Sequence, residues 1–421
     1  MPPSKWPVSS FPPVPSAKPF HYAWIIVLAG ALTIFSCFGL ARFAFGMLLP
    51  AMRDGLHLSY DDMGFLSTGN FAGYLVAVGL APLALRRFSA RRLVTVSLLV
   101  IGLCLLAISQ SSTYWLLGAL YTVIGMGGGF ANIPVMALVS RWFRRERRGQ
   151  AAGMMIMGNG TAIILTGFLV PRLNAAFGAQ GWRVGWLTLG IACLVLGVVV
   201  GLLLRNDPAD LGLEPLGAAQ PVAYDPAESR GAYGAARILL HLGGLYLLFG
   251  LTYMVYGTFI VATMVDEYHY AEATAGTFWS STGFFCLFSG VGFGILSDRL
   301  GRRGGLMLAF AVQGAAYLLV ASKLGPLALF GSVALYGLAV FAVPAIMAAA
   351  VGDYLGTARA AAAFSIVTFC FAIGQTIGPG AAGVIAEGAG TFSVPYFAAA
   401  AINALALLAA FFLPRPPRHT A

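Results

Sequence analysis

Twelve runs of about 20 mostly apolar residues, each bounded by charge or turn residues, set the terms on which this chain can fold. A helix of that length spans a hydrocarbon core of roughly 30 Å, and in lipid only helices or closed barrels satisfy their own backbone hydrogen bonds. Run length selects helices, so the expected fold class is an all-α membrane protein with twelve transmembrane helices and the lipid bilayer as its surroundings. Composition agrees: 59% of residues are hydrophobic and 10% charged, too little charge for the surface of a soluble enzyme and too much Leu, Ile, Val and Phe for a disordered chain. The formal charge of +10 does not point to nucleic acid, because the arginines sit in short runs between apolar segments, where they report topology.

Taken alternately, the loops put twenty Lys and Arg on the side of the N-terminal tail and only Arg53, Arg172, Arg183 and Lys323 on the other. By the positive-inside rule both termini are expected in the cytoplasm. Residues 1–22 carry seven prolines in the first twenty and read as a cytoplasmic tail ahead of an uncleaved first helix. The runs divide six and six: a bundle at 23–204, a cytoplasmic linker at 205–234 rich in acids and turn residues, a bundle at 235–413 and a tail at 414–421. The five cysteines lie singly inside apolar runs, with no spacing that suits a metal, so neither metal nor cofactor is expected.

The halves repeat each other. Met52-x-Asp54-x-x-His57 matches Met264-x-Asp266-x-x-His269 at an offset of 212, Arg91-Arg92 matches Arg302-Arg303 at 211, and Phe130-Ala131 with Pro134 matches Phe341-Ala342 with Pro344 at 211 and 210. Three matches in order indicate a duplicated six-helix unit, with a cavity expected between the copies.

With Gly294-Ile-Leu-Ser-Asp298-Arg299-Leu-Gly301-Arg302-Arg303 between the eighth and ninth runs, the sequence resembles the major facilitator superfamily of secondary transporters over essentially the whole chain after the tail. The first-half counterpart keeps Arg91 and Arg92 but has Arg87 in the place of the acid. The resemblance implies two pseudo-symmetric bundles that rock about a central cavity, with Asp298, Arg299, Arg302, Arg303, Arg91 and Arg92 gating its cytoplasmic mouth. Ser140-Arg-Trp-Phe-Arg-Arg-Glu-Arg-Arg-Gly149, Gly181-Trp182-Arg183 and Arg205-Asn-Asp207-Pro208 are similar to the monocarboxylate and oxalate–formate branch. Gly39-Leu-Ala-Arg42-Phe43-Ala-Phe-Gly46-Met-Leu-Leu-Pro50 resembles a group of uncharacterised bacterial members, which implies a bacterial inner membrane.

Arg42 is the one charge well inside a run. A cation there costs about 2.5–3.5 kcal/mol or more unless it faces protein, water or a partner. Three roles are open to it: ligand for an anion, outer-gate partner of Asp61, Asp62 or Asp266, or a side chain snorkelling to the external face. Monocarboxylate transporters similarly place a basic residue in their first helix. Their charged pair in the eighth span has no counterpart here, since nothing between Glu272 and Leu296 is charged.

Polar residues at cavity depth complete the candidate substrate-binding set: Asn132, Asn159, Tyr253, Tyr256, Ser280, Tyr336 and Gln375. Each is equally suited to tying helices together. Gly125/Gly129, Gly149/Gly153, Gly290/Gly294 and Gly374/Gly378, all four apart, allow close helix approach, and Gly378-Pro379-Gly380 interrupts its helix. No cluster of His, Cys or acid inside the runs suits an enzyme. The expectation is a monomeric transporter of a small, monocarboxylate-like organic anion, with export of drugs or neutral and cationic metabolites as the alternative and a non-transporting receptor behind it.

Overall fold

The computed structural model describes residues 21–217 and 232–414 of the chain. The first twenty residues, positions 218–231 of the expected linker and positions 415–421 lie outside the described residues. Within them, ten helical stretches are long and apolar enough to cross a membrane, and two of these run to 58 and 50 residues. Each long stretch is broken near its middle, the first at Gly178 with φ of +54° and the second at Gly301 with φ of +78°, a region that favours glycine. Divided there, the stretches give α1 Ala23–Leu56, α2 Tyr60–Arg87, α3 Ala90–Gln110, α4 Tyr114–Trp142, α5 Arg145–Phe177, α6 Gly181–Leu203, α7 Gly234–Glu267, α8 272–300, α9 302–321, α10 Pro326–Leu355, α11 Thr357–Ala389 and α12 Ser393–Phe411.

Local chemistry sets the turns. Ser59 caps α2 in a reciprocal box with Asp62. His57 after α1 and His269 after α7 both take left-handed backbone, with φ of 52° and 57°. The repeated Met-x-Asp-x-x-His motif is therefore the same turn used twice. Packing repeats as well: α2 lies on α4 and α3 on α6, while Gly337 of α10 meets Thr282 and Phe285 of α8, and Gly314 of α9 meets Asn403 of α12.

One end of the assembly carries Asp54, Asp61, Asp62, Asp266, Glu267, Glu272 and Glu387 and is termed the acidic face; the other is the arginine-rich face. At the latter, the start of the expected linker folds back on the first bundle instead of leaving it. Leu216 N donates to Trp142 O at 2.9 Å, Arg144 N donates to Leu216 O at 3.0 Å, and Arg144 pairs with Glu214 at 2.8 Å. The Trp142 indole donates to Arg205 O at 3.1 Å, so residues 205–217 form a strap across the α4–α5 turn.

Two long seams join the bundles, and α1 also meets α7 where Gly46 faces Gly257. Along α5–α8, Gly153, Gly160 and Gly167 face Val291, Gly283 and Gly276, and Asn174 Nδ2 donates to Glu272 Oε2 at 2.7 Å. Along α2–α11, Gly64 lies against Pro379, Gly380 and Gly383. Thr68 Oγ1 donates to Thr376 O at 2.9 Å and accepts from Gly380 N at 3.1 Å, so the Gly378-Pro379-Gly380 interruption bonds to the opposite bundle. Gly125 and Gly129, with Gly374 and Gly378, instead draw helices together inside their own bundles.

A polar clamp closes the acidic face. Arg53 Nη1 pairs with Asp266 Oδ2 at 2.5 Å, the Tyr60 hydroxyl donates to the same oxygen at 3.3 Å, and Tyr60 N donates to Glu387 Oε2 at 2.9 Å. With Asn174–Glu272, three second-bundle carboxylates meet donors from α1, α2 and α5. At the arginine-rich face the ion pairs of the described residues stay within one bundle. Arg302 holds Asp298 and Asp353, both at 2.6 Å, linking α8, α9 and α10. Arg303 lies over Phe411 at 4.3 Å, Arg299 is exposed, Arg91 Nε donates to Gly201 O at 2.6 Å, and Arg92 N donates to Ser89 Oγ at 3.4 Å. Of the residues expected to gate the cytoplasmic mouth, Asp298, Arg302, Arg303 and Arg91 thus make side-chain contacts inside one bundle in this conformation, and the bridging charges are ones the motif does not contain.

Two outcomes follow from these contacts. In Gly276→Val the side chain meets the Gly167 backbone oxygen, which lowers stability by about 1–3 kcal/mol, read as a fall in melting temperature. Asp266→Asn removes the clamp's ion pair, worth about 1 kcal/mol at this exposure. A cysteine at Thr258, buried between the bundles, then reacts about fivefold faster with a maleimide supplied from the acidic face.

Candidate functional site

The centre of the molecule is organised by α1, whose segment Phe35–Phe43 is π-helical, a widened turn that redirects side chains and recurs at functional sites. Arg42 sits in its last turn and is 6% exposed. Arg42, Tyr74, Tyr253 and Gln375 each lie fourteen residues from the acidic-face end of their helices, α1, α2, α7 and α11. At 1.5 Å per residue this is one layer about 20 Å deep, drawn from both bundles.

Aromatic faces enclose the guanidinium: Phe38 at 4.5 Å, Phe71 at 4.7 Å and Tyr74 at 4.9 Å from their ring centroids. Such contacts are worth about 0.5–2 kcal/mol each and offset part of the cost of burying the cation. Arg42 Nε donates to Asn70 Oδ1 at 3.0 Å, and Asn70 Nδ2 donates to Tyr121 O at 3.0 Å, which fixes the amide orientation. Nη2 is buried and has no partner. Arg42 therefore bonds to neither Asp266, which Arg53 and Tyr60 hold, nor Asp61 and Asp62, which bond Ser59, and it does not snorkel. In this conformation Arg42 makes the contacts of neither an outer gate nor a snorkelling side chain.

On the second bundle's side, Tyr253 faces Arg42 and its hydroxyl donates to Gln375 Oε1 at 3.3 Å. Gln375 is fully buried and its Nε2, like Arg42 Nη2, has no partner. Two unsatisfied donors, one from each bundle, thus flank one hydroxyl. Burying a donor without a partner costs about 1–3 kcal/mol, more where it is charged, so the pair is poised for an acceptor. Asn132 reaches the Tyr74 hydroxyl, and Asn159 is buried with Oδ1 unpartnered.

The remaining candidates bond or stack on other protein groups. Tyr256 bonds Ser332 at 2.8 Å and stacks on Tyr336 at 4.1 Å, the Tyr336 hydroxyl donates to Tyr253 O at 2.6 Å, and Ser280 Oγ donates to Ile164 O at 3.1 Å. Tyr336 positions Tyr253 through its backbone. Asn70 and Tyr74 were missed in the sequence, although Asn70 is an isolated amide in the second run and carries the signal that would have found it.

Comparisons with known proteins match this architecture. The chain is 26% identical to the membrane sensor protein UhpC of Salmonella typhimurium over 66% of its length, an alignment that spans 65% of the sensor. It is 23% identical to the hexuronate transporter of Bacillus subtilis over 90% of its own length and 91% of that protein's. Among solved structures, a bacterial homologue of the human lysosomal transporter Spinster, inward-facing and unoccupied, superposes with a TM-score of 0.70 at 15% identity, covering 94% of this chain and 98% of that one. The nucleoside transporter NupG gives a TM-score of 0.70 at 13% identity, covering 94% and 99%. The family model described as uncharacterised MFS-type transporter YbfB matches residues 34–411, and the chain belongs to that family of the major facilitator superfamily.

Proposed function

We propose that the protein is a secondary active transporter that moves a small monocarboxylate-like organic anion by alternating access. The reading rests on Arg42, a buried cation in the layer between the bundles whose Nη2 has no partner. Arg presents a planar fork that fits a carboxylate, and Gln375 Nε2 supplies a second donor from the opposite bundle. An anion bonded to both ties the bundles together, so its arrival favours closure about it. Similarity to a hexuronate transporter over most of both chains supports an anionic cargo, since hexuronates are carboxylates. The arginine-rich face is assigned to the cytoplasm of a bacterial inner membrane, and the working unit to a monomer.

Melting of the purified protein against small carboxylates, neutral drugs and organic cations tests the reading. A carboxylate at a hundred times its Kd stabilises the wild type by about 2.7 kcal/mol. Arg42→Gln weakens carboxylate binding by about ten- to a hundredfold, the worth of a charge-assisted hydrogen bond, and Arg42→Lys recovers part of it. Stabilisation by cations or neutral compounds alone, or an unchanged carboxylate response in Arg42→Gln, overturns the anion site. Because one relative is named a sensor, flux of the stabilising carboxylate into liposomes separates transport from ligand sensing.

A further inference from the structure

Arg42 and Phe43 are consecutive in the π-helical turn, yet they face different helices. Arg42 is bonded to α2 and faces α7, while the Phe43 ring lies against Trp279 of α8 at 6.5 Å and, edge-on, against Phe341 of α10 at 6.3 Å. Phe43 and Trp279 are 3% and 1% exposed. The Trp279 indole Nε1 is buried without a hydrogen-bond partner, although buried indole N–H groups ordinarily find one. One residue along α1 from Arg42 there is thus an aromatic cluster with one unsatisfied donor of its own.

The charge inventory narrows the ligand further. Arg42 is the single charged side chain among the buried residues described, so the layer balances one negative charge and leaves a dianion half uncompensated. Its polar partners are few, and the wall formed by Phe43, Trp279 and Phe341 offers a polyhydroxylated body one N–H in exchange for the water it loses.

We infer that the cargo is an aryl monocarboxylate: its carboxylate on Arg42 and Gln375, its flat apolar ring against Phe43, Trp279 and Phe341, and an oxygen acceptor on the ring meeting Trp279 Nε1. Phe43 and Trp279 are specificity-determining residues that select against sugar acids and phosphate dianions. The inference rests on the carboxylate reading of Arg42 and adds the body of the ligand to it.

Affinities measured by melting shifts for acetate, gluconate, phenylacetate and ring-methoxylated phenylacetates separate the two layers of the argument. Phenylacetate is expected to bind about tenfold or more tighter than acetate or gluconate, the discrimination an apolar pocket provides. Phe43→Ala removes that advantage while leaving acetate within about twofold, and Phe43→Leu, which keeps most of the volume, does the same if the alanine variant fails to fold. Trp279→Phe keeps phenylacetate affinity and abolishes any preference for a methoxy derivative. Gluconate binding as tightly as phenylacetate, a uniform loss for all carboxylates in the Phe43 variants, or a methoxy preference that survives Trp279→Phe overturns the aryl assignment and leaves the carboxylate site standing. Carboxylate binding that is indifferent to Arg42→Gln overturns both.

Discussion

Among the described residues, a single buried cation with no buried acid to neutralise it constrains the centre of this molecule. The guanidinium of Arg42 is shielded from lipid by three aromatic faces and held by Asn70, itself anchored on the α4 backbone at Tyr121. These contacts fix the direction of the side chain without neutralising its charge. The π-helical turn, the fixed amide and the aromatic enclosure all serve the same end, which is to keep a cation where hydrocarbon chemistry would expel it.

Around that layer the fold is two copies of one plan. Glycine at Gly160, Gly167, Gly276 and Gly283 brings the α5 and α8 backbones close enough that the seam consists largely of backbone and small groups. Such surfaces have little side-chain interdigitation to break when they slide. The acidic face adds directional contacts to this joint, whereas at the arginine-rich face the ion pairs of the described residues lie within each half. The ion pair that bridges the halves lies at the acidic end, while the long seams, with Thr68 bonded to Thr376 and Ser280 to Ile164, keep the halves in register.

Much of the architecture was legible in the sequence because hydrocarbon thickness and backbone satisfaction leave a run of twenty apolar residues few alternatives. The Met-x-Asp-x-x-His repeat was legible too, and its histidines proved to occupy equivalent left-handed turns. Arg42 stood out by charge alone. Its partners did not, since which face of α2 meets α1 depends on the widened turn in α1, and a π-helix leaves no periodic mark. The clamp was hidden for another reason: Arg53, Tyr60 and Asp266 look like ordinary helix-end polar residues until two distant segments are brought together. Asp298 and Arg302 stood in one motif, which gave no indication that they pair with each other and with Asp353 inside one bundle.

The strap at residues 205–217 changes where the halves are mechanically attached. Because Leu216 is hydrogen-bonded on both sides to the α4–α5 turn, a displacement carried by the chain from the second bundle reaches the first at that turn, and not at the end of α6. The α4–α5 turn is also where α5 begins, and α5 is the first-bundle helix of the seam to α8. Chain connectivity and the sliding surface thus share one lever arm, so that the covalent link between the bundles pulls along the same helix on which they move.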